Sequence, residues 1–194
     1  MGTRTLAEAF GPRTAVAALL LVLLPASAMA DRHKASFGGG GVLADRSSLY
    51  GVALTGDATV WEWKRSNDLS LAMLSVAGEA SRVSGEHEGQ WMSQYTFLLG
   101  PRFVLNTPLK RRVEPYLQVM AGFVEERAAV NRTSFAYAVG AGVDVPIGDL
   151  KPAAHPLVVF RFQYGRHRID AETNDSYDQW SVGVVFRFNR HDDD

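Results

Sequence analysis

Apolar and polar side chains alternate with a period of two over long stretches of this chain, and that is strand periodicity, because successive strand side chains point to opposite faces. In Trp180–Phe188 one parity holds Trp180, Val182, Val184, Phe186 and Phe188, while the other holds Ser181, Gly183, Val185 and Arg187. Phe135, Tyr137, Val139, Ala141, Val143 and Val145 likewise alternate with Ala136, Ala138, Gly140, Gly142 and Asp144. Alternation and turn residues together predict strands near 34–43, 48–63, 69–82, 89–104, 112–126, 132–147, 156–168 and 177–189. No segment shows a sustained 3.6-residue stripe. Around Trp61 and Trp63 the apolar set slips onto the polar parity, and a bulge there would restore it.

The two faces decide the fold class. A water-facing parity usually carries Lys, Glu, Thr and Asn, but here the second parity is mostly Gly and Ala with isolated charges. Tiny residues and a few charges suit a narrow interior filled by its own side chains, so the large apolar set faces outward, against lipid. The prediction is an all-β protein, an eight-stranded antiparallel up-and-down transmembrane β-barrel. An even strand number brings both ends of the barrel chain to one side. Tyr50, Trp91, Tyr164 and Trp180 are expected near one rim and Trp61, Trp63, Phe103 and Phe188 near the other, as aromatic girdles.

The N-terminus adds a destination. Arg4 and Arg13 precede the apolar run Thr14 to Pro25, and Ala28-Met29-Ala30 follows. A positive start, a short apolar core and an A-x-A site describe a cleavable signal peptide over 1–30. The run is too short to span a bilayer as a helix. The barrel domain is then 31–189, with a polar tail at 190–194. The chain has 194 residues, a net charge of -1 and no cysteine, which gives no sign of a nucleic-acid partner and removes disulfide and thiolate chemistry.

Two charged sets stand out. Asp57, Glu114 and Asp144, with Arg102, Arg161 and Arg187, fall on the inward parity and are expected to pair, because an unpaired charge in a narrow lumen is costly; Arg102 and Glu114 flank one predicted turn. The network would plug the lumen or, as the alternative, line a gated ion path. Arg46, Arg82, Arg127, Arg132, Arg166 and Arg168 gather at the end away from the termini, where guanidinium groups could contact lipopolysaccharide phosphates or pair with loop acids. His167 with Ser176 and Asp178, and His87 with Ser84, Glu86 and Glu88, are the nearest approaches to a catalytic set, and neither matches a hydrolase or acyltransferase motif. His33, His155 and His191 are too scattered to suggest a metal site. No catalytic, metal or cofactor-binding residue is assigned.

The segments F-L-L-G-P-R-F (97–103), V-E-P-Y-L-Q-V-M-A-G-F (113–123), A-V-G-A-G-V-D-V-P (138–146) and W-S-V-G-V-V-F-R-F (180–188) resemble bacterial outer-membrane β-barrel domain proteins of the small OmpA-like porin type. The resemblance implies a Gram-negative outer-membrane location, contact with lipid and lipopolysaccharide, delivery by periplasmic chaperones and the barrel-assembly machinery, and a structural, envelope-maintaining or narrow-channel role without enzymatic activity. Asn189 to Asp194 extend past the aromatic residue on which such chains usually end, and the outer loops, near 44–47, 83–88, 127–131 and 169–176, are short for the type. Two other classes remain open: a soluble secreted or periplasmic barrel holding a small apolar ligand, and an outer-membrane lipid-modifying enzyme.

Overall fold

A computed structural model describes residues 35–45, 49–64, 70–87, 90–105, 113–128, 131–147, 157–170 and 175–188. The expected signal peptide, 1–30, the expected tail, 190–194, and Arg46, His33, His155 and His191 lie outside the described residues. Eight strands, β1 (Ala35–Ala44), β2 (Leu49–Lys64), β3 (Ser70–His87), β4 (Gln90–Leu105), β5 (Glu114–Arg127), β6 (Asn131–Ile147), β7 (Leu157–Asp170) and β8 (Asp175–Phe188), form a closed barrel in chain order. Every neighbouring pair is antiparallel, and β1 closes against β8. The end where β1 starts and β8 finishes is called the near end, and the opposite one the far end.

Closure requires staggered strands. Leu43 is level with Tyr50 on β2 and with Trp180 on β8. Following that row through Tyr164, Ala141, Leu117, Phe103 and Leu74 arrives back on β2 at Trp61 rather than at Tyr50. The strands are therefore strongly tilted. The β2–β3 register shifts between Thr59 and Trp61, so Val60 is an extra residue and Trp61 and Trp63 turn outward with Val52 and Leu54.

Large apolar side chains cover the outside: Phe37, Val52, Leu54, Leu117, Val119, Phe123, Val139, Phe162, Val182 and Phe186 are all exposed. This places the large parity outward, opposite to what a soluble calyx needs. The β4–β5 ladder skips Gly100 and Pro101, since proline brings no N–H to a ladder.

The inside departs from the sequence expectation in its far half. There Val42, Leu49, Val83, Met92, Leu98, Met120, Val124, Ile169 and Tyr177 form a buried apolar cluster. The outer wall keeps large apolar side chains over much of that height, Leu43, Leu99, Phe123 and Phe135 among them, and turns polar only toward the far mouth, where Arg82, Glu86, Arg166, Arg168 and Asp170 are exposed. There the barrel is built like a water-soluble one, apolar inside and polar outside. β3 accordingly runs to His87 and not to 82, and β7 and β8 extend to Asp170 and from Asp175, which leaves shorter far-end connections than expected.

The charged lumen as candidate functional site

Inward parity brings the six expected lumen charges together in the near half. Asp144, on β6, accepts from Arg161 on the neighbouring strand through two parallel bonds, Nε to Oδ1 at 2.8 Å and NH2 to Oδ2 at 2.7 Å. This is the bidentate fork that makes guanidinium–carboxylate pairs strong. The same Oδ2 accepts from Arg187 at 3.0 Å, and Arg187 also donates to Glu114 at 2.5 Å. Asp57 accepts from Ser36 at 2.5 Å, from Arg102 at 2.7 Å and from Arg161 at 3.1 Å. Arg102 and Glu114 do not pair with each other: Arg102 turns instead to Asp57 and to the Gln118 side chain.

Uncharged groups that periodicity did not single out complete the network. The Tyr116 ring lies under two guanidinium groups, 4.4 Å from Arg102 and 5.4 Å from Arg161, a cation–π arrangement worth more when shielded from water. Room for this ring comes from Gly142, where a Cβ would lie 2.3 Å from the Tyr116 ring. The Tyr116 hydroxyl donates to Gln163 at 3.0 Å, and Gln163 donates to Glu79 at 2.7 Å, as does Gln179. Every strand supplies a member, from Ser36 on β1 to Arg187 on β8. A cavity of about 10 Å³ lies among Asp57, Arg102, Asp144, Arg161 and Arg187, room for about one water molecule.

The remaining candidates fall elsewhere. Arg82, Arg127, Arg166 and Arg168 are on the outer face of the far half, and Arg132 has inward parity at the far mouth, opposite Glu126. Arg82 and Arg127 both lie over the Tyr95 ring, at 5.4 and 4.8 Å, and Arg127 donates to Glu125 at 2.7 Å. Trp63 makes edge contacts with Trp61 and Phe103 at the near rim, where Phe188 is also exposed, and Tyr164 and Trp180 lie 4.6 Å apart. Tyr50 and Trp91 face outward in the far half. Trp91 stands beyond the Arg82–Tyr95 and Ser84–Ser93 pairs, opposite Glu86, and so lies further out than Tyr50. His167 faces inward, is buried and stacks on Tyr177 at 4.9 Å, whereas Ser176 and Asp178 are on the outer parity. The wall separates the members of that set. The side chain of His87 lies outside the described residues.

No curated protein matches the chain. Among solved structures, Neisserial surface protein A superposes with a TM-score of 0.51 at 14% identity, covering 81% of this chain and 97% of that one. Ail, the attachment invasion locus protein of Yersinia pestis, gives 0.48 at 17% identity, covering 81% and 98%. The outer membrane enzyme PagL gives 0.45 at 10%, covering 81% and 99%. At these identities the likeness concerns the fold. A family model described as outer membrane protein beta-barrel domain matches residues 16–188. The closed eight-stranded ring, the apolar outer wall and that match together identify the chain as a member of the outer-membrane β-barrel domain family of Gram-negative bacteria.

Proposed function

We propose that this chain is a structural, envelope-maintaining barrel of the outer membrane whose lumen is plugged by its own paired charges. The supporting observation is the network to which all eight strands contribute and which encloses a cavity no larger than about one water molecule. Such a network would tie the wall together across its diameter and close the lumen to solutes. The near end, where β1 starts and β8 finishes, faces the periplasm, where chaperones and the barrel-assembly machinery would receive the chain. No catalytic step is assigned. In planar lipid bilayers the purified barrel is expected to give no resolved single-channel current. A stable ion-conducting state would replace this reading with the narrow-channel one.

The outer-face arginines favour a second contact. With the far end outside, Arg82, Arg127, Arg166 and Arg168 stand where the apolar wall gives way to polar side chains, at the height expected for lipid phosphates. Guanidinium groups there can bind phosphate in bidentate fashion. Replacing these four with alanine is expected to remove most of the lipopolysaccharide that co-purifies with the folded barrel. Unchanged co-purification would show that they serve only as solvated charge.

A further inference from the structure

The near-half cluster is electrically closed, three arginines against three carboxylates. Glu79 stands apart from it. This side chain is buried on the inward face of β3, and its two oxygens accept only from the uncharged amides of Gln163 and Gln179, each at 2.7 Å. Among the described residues no arginine, lysine or histidine nitrogen lies within 4.0 Å of it. An ionised carboxylate removed from water without a counter-charge is costly.

A second observation points to the same place. Among the described residues, the buried inward-facing Ser81 Oγ and Gln179 Oε1 have no hydrogen-bond partner. Gln179 Oε1 belongs to the amide that already touches Glu79, and Ser81 is the next inward residue along β3. Hydroxyl, amide and carboxylate oxygens are the donors that a hard cation takes. The His167 ring also faces the lumen here. Other ionisable groups facing this space are the six cluster members, Tyr116 and Tyr177. Glu62 is on the inward parity at the near mouth, with Glu126, Arg132 and Asp175 at the far one; β1 contributes none.

We propose that Glu79 is the core of an internal binding site for one sodium ion, which supplies the positive charge that the lumen lacks there. The site depends on the fold alone and stands whether or not the lumen conducts. Its occupant stabilises the folded barrel by mass action, because the unfolded chain lacks the site.

The test uses the full barrel in phospholipid vesicles, with unfolding in urea followed by the change in gel mobility between folded and unfolded forms. Sodium chloride replaces choline chloride at constant ionic strength and pH. The wild type is expected to lower its unfolding constant by up to about tenfold per tenfold rise in sodium concentration. That part of the dependence should be absent from Glu79→Gln. Gln179→Lys, which brings a fixed ammonium group to the same carboxylate, should also remove it, and this variant keeps the test decisive if Glu79→Gln does not fold. A wild type that does not respond to sodium, or variants that respond as the wild type does, would overturn the proposal.

Discussion

Asp144→Ala is expected to destabilise the barrel by about 3–5 kcal/mol, the range seen when one partner of a buried ion pair is removed. Asp144 accepts both arms of the Arg161 fork and one bond from Arg187. Its loss leaves two buried guanidinium groups underneutralised, one of which Asp57 reaches only at 3.1 Å. The cavity beside it, with room for about one water molecule, supplies little solvent to fill the gap. Asp144→Asn keeps an acceptor and loses the charge, so it should fall between alanine and the wild type. Urea unfolding in lipid vesicles reads both. A change under about 1 kcal/mol for Asp144→Ala, the usual scale of a solvated surface pair, would mean that the cluster is hydrated and contributes little.

The second large effect belongs to the outer wall. Val119 is exposed at the middle of β5, opposite Val139. On a water-facing wall Val119→Arg would change stability by no more than about 0.5 kcal/mol. At mid-bilayer the same substitution costs about 2–4 kcal/mol. The expected result is the larger cost, with a smaller one for arginine placed at Ser84, among the polar outer-face residues of the far half. Equal small effects at the two positions would place water on both sides of the wall.

The parity argument carried most of this architecture because a barrel wall has only two faces, and large apolar side chains alternating with glycine and alanine leave one arrangement that fits a narrow lumen. It also reached the six near-half charges, since each stands on the inward parity among uncharged neighbours. It failed where the wall leaves the apolar band. In Arg82–His87 the outward residues Arg82, Ser84 and Glu86 are polar and the inward Val83 and Gly85 are small or apolar, so the alternation changes sign and the segment reads as a loop. The partners within the cluster were not legible either. Register decides that Glu114 meets Arg187 rather than Arg102, and spacing along one chain does not encode it. Glu79 lies in a run of small residues, Ser75 to Ser81, and only closure of the barrel shows that glutamines, and not arginines, reach it. The Trp61–Trp63 slip, by contrast, was itself the signal of the bulge that the β2–β3 ladder contains.

Nitroxide labels placed one at a time along Trp180–Phe188, in the barrel reconstituted into bilayers, distinguish a lipid-facing wall from a water-facing one. Collision with dissolved oxygen reports lipid, and collision with a water-soluble nickel chelate reports water. Labels at Val182, Val184 and Phe186 should be reached by oxygen and not by nickel, and labels at Ser181 and Val185 by neither, since that parity is packed inside the barrel. Nickel accessibility at Val182, Val184 and Phe186 would contradict the inverted wall and return the chain to a barrel whose outer surface meets water.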